Sequence, residues 1–174
     1  MEQRKPISHV TAGLIIAGIL IVFSILMSFI NGSTTKPGSG WLSYLVICAG
    51  LVLFIYLYGK ARNNYVSFGD LFSYGFKATA MMTLVFVVFM VVMSFIMPEF
   101  KEKAIEAART EMEHNGRLSD SDIEKGMSLM EKYFWVFAIG GTMLGFIIIG
   151  AIGSLIGAAV TPKRPHNPID QLDT

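Results

Sequence analysis

The chain has 174 residues, of which 53% are hydrophobic and only 16% are charged, and its formal net charge is +1. Soluble domains carry roughly 25% charged residues, so this composition argues against a soluble domain, and the near-neutral charge gives no support for nucleic-acid binding. The single cysteine, Cys48, excludes a disulfide framework.

Four stretches without a charged residue predict four transmembrane helices. They are Val10–Ile30, Trp41–Gly59, Ala78–Met97 and Tyr133–Pro162. Each is long enough to cross a hydrocarbon core of about 30 Å at 1.5 Å rise per residue. We predict one integral membrane domain over residues 1–174, with spans at about 10–30, 41–59, 76–97 and 135–160.

The first stretch could instead be a cleaved signal peptide. Its apolar segment is longer than the usual 7–15 residues, and "INGSTTK" after it lacks a small-x-small cleavage site. We therefore expect a retained first span, and four spans place both termini on one side of the membrane.

The distribution of basic residues predicts which side that is. The side of the termini carries Arg4, Lys5, Lys60, Arg62, Lys77, Lys163 and Arg164. The other side carries Lys36 and the segment 98–132, which contains six Lys/Arg and nine Asp/Glu. Basic residues close to span ends favour the cytoplasm and acids count little. We therefore expect cytoplasmic termini. The six Lys/Arg of the long segment reduce the difference in basic residues between the two sides.

The stretch "VSFGDLFSYGFK" at Val66–Lys77 is the best candidate site in the chain. Ser67 and Asp70 have the spacing of a helix N-cap pair, while Asp70 and Lys77 lie on nearly the same helical face. We interpret the stretch as an amphipathic entry to the third span that lies in the membrane interface, with Lys77 reaching the headgroups. The alternative is a ligand or partner site at Asp70 and Lys77.

Residues 98–132 predict an extramembrane helical hairpin. Its first helix has an apolar stripe with a period of four, at Phe100, Ala104, Ala108 and Met112. Helical ion-pair spacings occur at Glu99/Lys103, Glu106/Arg109 and Arg109/Glu113. Asn115-Gly116 predicts the end of this helix. Such periodicity argues against the alternative, a disordered acidic loop.

The second helix of the hairpin has a well-specified start. Ser119 fits an N-cap with Asp122 three residues later, and Leu118 and Ile123 have the spacing of a hydrophobic staple. The apolar face of this helix then continues into the fourth span.

The fourth span contains two glycine patches. Gly141 and Gly145 form one close-approach motif, and Gly153 and Gly157 form another, with Gly150 beside the second. At 100° per residue the two patches lie on different sides of the helix. They predict contacts with two different neighbours, either both within the bundle or one in a second protomer.

Metal and enzyme chemistry have little support in the sequence. The three histidines are far apart without a cysteine partner, so no zinc spacing occurs. Met93 and Met97 would suit Cu(I), but methionine also fills gaps between helices. No nucleophile-elbow, zinc-protease, Walker or dinucleotide motif is found. We expect no enzyme activity, no cofactor, and no catalytic or metal residues.

Transport also lacks an obvious basis, because carriers usually need ionisable groups at membrane depth and the four apolar stretches contain no Asp, Glu, Lys, Arg or His. A channel built by oligomerisation stays open.

Two nine-residue stretches of the chain are similar in sequence. "VFSILMSFI" at Val22–Ile30 and "VFMVVMSFI" at Val88–Ile96 agree at six of nine positions. A parallel duplication of a two-span hairpin would place both at the same membrane face. The second and fourth spans do not match comparably, so shared membrane composition is the alternative explanation.

The chain resembles a bacterial family of four-span membrane proteins catalogued as domain of unknown function 4199. The resemblance rests on "SFGDLFSYGF" (Ser67–Phe76), on Met97-Pro98, on the acidic helical segment and on "LIGAAVTPKRP" (Leu155–Pro165). It implies an integral inner-membrane protein of a Gram-negative bacterium and brings no activity, ligand or site residue.

Together these patterns predict an all-α, four-transmembrane-helix bundle with an extramembrane helical hairpin between helices 3 and 4. The leading functional hypothesis is a non-enzymatic structural or accessory membrane protein that acts through helix–helix or partner contacts. A small oligomeric channel or transporter subunit is the alternative, and a lipid-modifying enzyme ranks third. The expected partners are the lipid bilayer and either a second copy or another membrane protein, with no nucleic acid.

Overall fold

The computed structural model describes residues 6–31, 40–97, 99–114, 116 and 119–164. Within these ranges the chain is all-helical, with six helices and no strand: α1 (His9–Asn31), α2 (Gly40–Ala61), α3 (Phe68–Ile96), α4 (Phe100–His114), α5 (Asp120–Lys132) and α6 (Phe134–Val160). Some residues used above lie outside the described part: Arg4, Lys5, Lys36, Pro98, Asn115, Leu118 and Pro165.

Four of the helices, α1, α2, α3 and α6, are long and apolar enough to cross a membrane. They contain between 22 and 29 residues, so they measure about 33 to 44 Å at 1.5 Å per residue. A hydrocarbon core is about 30 Å thick. The predicted all-α fold with four membrane-spanning helices is confirmed, and the chain is a multi-pass membrane protein.

The four long helices form a bundle in which α3 packs against α1, α2 and α6, while α2 also packs against α1 and α6. Helices α2 and α3 therefore lie in the middle, between α1 and α6. Aliphatic side chains fill the centre: Ile16, Leu20, Ile47, Leu51, Ile55, Leu71 and Met82. Many other apolar side chains face outward, as expected of helices in lipid.

The two ends of the bundle differ. We call one the basic end: α1 and α3 begin there, α2 and α6 end there, and most of the described basic residues of these four helices lie near it. The other is the hairpin end, where α4 and α5 connect α3 to α6.

A tight turn joins α2 to α3 at the basic end. Asn63 and Asn64 have positive φ angles of 51° and 64°, a conformation that asparagine tolerates better than most residues. The Asn64 amide donates to the Gly59 carbonyl at 2.9 Å, and the Arg164 amide donates to the Asn64 carbonyl at 2.9 Å. The turn therefore holds the chain after α6 against the end of α2.

Helix α3 begins earlier than the predicted third span. Its N-cap is Ser67, and it runs without interruption from Phe68 to Ile96. The predicted amphipathic entry is thus the first part of one continuous helix. Leu71, Tyr74 and Gly75 on this part are buried against the bundle, which explains why the segment stays aligned with the span.

The arrangement bears on the echoing stretches Val22–Ile30 and Val88–Ile96. They lie in the last turns of α1 and α3, which pack together and run in the same direction. Helices α2 and α6 also pack together, and both run in the direction opposite to that of α1 and α3. This geometry meets the requirement of a parallel two-helix repeat, and duplication stays a prediction.

Helices α4 and α5 pack against each other as the hairpin. Ile123 and Met127 of α5 are buried, and Gly126 faces the Met112 side chain of α4. The Ser119 hydroxyl oxygen accepts the Asp122 amide at 3.3 Å, as the predicted N-cap requires. This contact caps the start of α5.

Two exposed ion pairs between residues four apart lie along α4 and the residue that precedes it. Lys103 pairs with Glu99 at 2.9 Å and lowers the pKa of that carboxyl group. Of the two acids at pairing distance in the sequence, Glu113 and not Glu106 pairs with Arg109. The Arg109 Nε donates to Glu113 Oε1 at 3.1 Å.

Candidate functional site

A polar groove opens at the basic end, between the start of α1, the end of α2 and the start of α3. Its volume is about 390 Å³. Both members of the predicted pair, Asp70 and Lys77, line it. Its other lining residues include His9, Tyr58, Arg62 and Tyr74. We call it the basic-end groove. Three helices are needed to form it.

A capping box at the start of α3 fixes Asp70. The Ser67 hydroxyl oxygen accepts the Asp70 amide at 3.1 Å, and Asp70 Oδ2 accepts the Ser67 amide at 3.0 Å. The Ser67 hydroxyl also donates to the same Oδ2 at 2.8 Å. These bonds satisfy donors that the first helical turn leaves free. The carboxylate thus has a structural role in starting the helix.

Aromatic side chains form the rigid wall of the groove. The rings of Tyr58 and Tyr74 stack with their centroids 4.2 Å apart. The Tyr74 hydroxyl donates to the Ile7 carbonyl at 3.0 Å and holds the residues before α1 against α3. The Arg62 guanidinium lies over the Tyr58 ring, 5.5 Å from its centroid.

The groove carries charges of both signs. Arg62 and Lys77 are exposed cations, and neither forms an ion pair with an acid in the part of the chain that the structure describes. Arg62 interacts electrostatically with Asp70 at longer range. The two cations and the one carboxylate, counted without the His9 imidazole, sum to a single positive charge.

The two glycine patches of α6 have different environments. A Cβ atom added to Gly153 would lie 3.1 Å from Leu51 Cδ1, and one added to Gly157 would lie 2.6 Å from Ile55 Cδ1. A Cβ on Gly150 would overlap the Thr79 side chain of α3. This patch therefore lets α2 and α3 approach α6 closely, as close-approach motifs do.

The other patch, Gly141 and Gly145, has open space. Added Cβ atoms would meet nothing within 4 Å among the residues that the structure describes, and the same is true of the adjacent Gly140. A packing role for Gly141 and Gly145 stays a prediction.

Sequence reasoning missed several close approaches in the bundle, among them those of Gly13 and Gly75. A Cβ on Gly13 would lie 2.6 Å from the Ala78 carbonyl oxygen, and one on Gly75 would lie 2.6 Å from both Ile55 Cδ1 and Ser154 Oγ. The signal was present, because Gly13 precedes Ala17 and Gly75 precedes Thr79 by four residues, the small-xxx-small spacing of membrane helix contacts.

Ser154 places a polar group in the centre of the bundle. Its side chain is fully buried, and its hydroxyl has no hydrogen-bond partner among the described residues. Thr79 and Thr83 nearby each donate to a carbonyl of their own helix, at 3.0 and 2.9 Å. Ser154 differs from these threonines in that its buried hydroxyl lies against Gly75 of the neighbouring helix.

No group of three or more His, Cys, Asp or Glu residues that could hold a metal ion occurs in the described ranges.

Comparison with known proteins gives a family match over most of the chain. The model of a family described as "Protein of unknown function (DUF4199)" matches residues 11–163. No curated protein and no solved structure matches the chain.

Proposed function

Since the chain belongs to the DUF4199 family, whose description assigns no function, we propose a role from its geometry: a non-enzymatic structural or accessory protein of the bacterial inner membrane. It has both termini in the cytoplasm and acts through helix–helix contacts with a second copy of itself.

The unoccupied glycine patch of α6 carries this proposal. Gly141 and Gly145 meet no neighbour within 4 Å of an added Cβ in the described part of the chain, although the other patch of the same helix is tightly packed. The nearby side chains of Val136 and Leu144 are 69% and 62% exposed. A smooth glycine patch favours a symmetric pair, because it can meet the same patch of a second copy at short range.

Two threonine hydroxyls inside the bundle support a structural role over the alternative of a channel or transporter subunit. Thr79 and Thr83 are almost fully buried, and their hydroxyls donate to carbonyls of α3 itself. A path for a polar solute needs such groups to face water or cargo.

Cross-linking in native membranes tests the contact. In a Cys48→Ser background, Leu144→Cys beside Gly141 should give a dimer. Val22→Cys is the matched control, since Val22 is 57% exposed on α1, away from α6. Adding Gly141→Leu should abolish the Leu144→Cys dimer.

The proposal fails if Leu144→Cys gives no dimer, if Val22→Cys gives as much, or if the cross-link joins a different protein. Orientation is tested separately by fusing, after Thr174, a reporter that is active only in the cytoplasm. The fusion should be active, and an inactive fusion would contradict cytoplasmic termini.

A further inference from the structure

We propose that the basic-end groove binds the phosphate group of a membrane phospholipid, with Arg62 and Lys77 as its cationic ligands. This inference does not depend on the proposed self-association, because the groove and Gly141 lie at opposite ends of the bundle.

The charges of the groove fit a phosphodiester. Arg62 and Lys77 line the groove and have no ion-pair partner among the described residues. Guanidinium and ammonium groups are the usual protein ligands of phosphate oxygens. The Asp70 carboxylate faces the same groove, but its Oδ2 accepts two bonds from Ser67. The single net positive charge of the lining matches the single negative charge of a phosphodiester.

The depth of the groove fits the lipid headgroup layer. Counting back from Ile96 at the hairpin end, about 20 residues cross the hydrocarbon core, and this places Lys77 at its opposite boundary. Arg62 follows directly after α2 ends at Ala61. Phe76 beside Lys77 is 38% exposed and would contact acyl chains. Anionic lipids of the cytoplasmic leaflet attract basic side chains at this level.

The groove is also preorganised. The stacked Tyr58 and Tyr74 rings and the bond from Tyr74 to the Ile7 carbonyl fix two of its walls. Arg62 lies over Tyr58, which limits its freedom before a ligand arrives. Lys163 at the same end differs, because its ammonium donates to the Ala158 and Thr161 carbonyls. The cations of the groove, Arg62 and Lys77, thus differ from Lys163, whose ammonium is already bonded to helix carbonyls.

Native mass spectrometry of the full chain in detergent tests the assignment. The probes are phosphatidylglycerol and a diacylglycerol with the same acyl chains but no phosphate. Phosphatidylglycerol should be retained and diacylglycerol should not. Arg62→Gln and Lys77→Gln should each weaken phosphatidylglycerol binding about tenfold, the loss expected of one charge-assisted contact. Lys60→Gln, which removes an exposed cation outside the groove, should bind normally.

Inorganic phosphate and glycerol 3-phosphate distinguish a lipid from a free anion, and both should bind far more weakly than the lipid. The inference is overturned if these anions bind as tightly as phosphatidylglycerol, if diacylglycerol binds equally well, or if Lys60→Gln weakens binding as much as the groove variants. Unfolding temperatures without added lipid, unchanged among the three variants, establish that the proteins are folded.

Discussion

Two glycines of α1 allow a matched test of how closely α1 and α3 pack. A Cβ added to Gly13 would lie 2.6 Å from the Ala78 carbonyl oxygen and 2.8 Å from Met81 Cβ, whereas one added to Gly18 would meet nothing within 4 Å of it. We expect Gly13→Ala to destabilise the bundle and Gly18→Ala to stabilise it, although the chemical change is the same.

The magnitude follows from the atoms involved. Ordinary contacts begin at about 3.4 Å, so the contact of Gly13→Ala with the Ala78 oxygen is about 0.8 Å too short. Neither the carbonyl oxygen nor Met81 Cβ can rotate away, and α1 must therefore move outward. Overpacking of this kind costs about 1–3 kcal/mol, against a gain of about 0.5–1 kcal/mol for alanine over glycine in a helix.

We therefore expect Gly13→Ala to lower the free energy of unfolding by about 1–2 kcal/mol, and Gly18→Ala to raise it by about 0.5–1 kcal/mol. The two variants then differ by about 1.5–3 kcal/mol, and at about 2–4 °C per kcal/mol for a chain of this size their unfolding temperatures should differ by about 3–12 °C. Circular dichroism during unfolding in mixed micelles measures both quantities. Equal stabilisation by the two substitutions would refute the close approach of α1 and α3.

Three further substitutions test other contacts by the same unfolding measurement. Ser154→Ala should leave stability unchanged or raise it by up to about 1 kcal/mol, because it removes a buried hydroxyl without a partner; a clear loss would show that the hydroxyl is bonded. Ser67→Ala should cost about 1 kcal/mol, and Asp70→Ala should add little to it, because both break one capping box; full additivity would contradict that. Lys163→Met should destabilise the end of α6 by about 0.5–1 kcal/mol, because the Lys163 ammonium donates to the last carbonyls of the helix. An unchanged free energy of unfolding would mean that water satisfies these carbonyls as well as the ammonium does.

Much of the architecture could be predicted from the sequence because its causes are local. A stretch such as Val10–Ile30 is apolar throughout, and the length that crosses a bilayer is fixed by the helical rise. The cap at Ser67 depends only on a residue three positions away, and the start of α5 at Ser119 depends on a similar spacing. These features needed no knowledge of which helices are neighbours.

The tertiary structure decided the rest. Periodicity places Gly141 and Gly153 on different sides of α6 but does not reveal which side faces α2, and the packing of Ile55 and Leu51 settles it. The groove depends even more on tertiary structure, because His9, Tyr58 and Lys77 come from three helices. Their approach depends on packing energy summed over whole helices. A single sequence determines where each helix begins and ends, and long-range packing determines which side chains share a site.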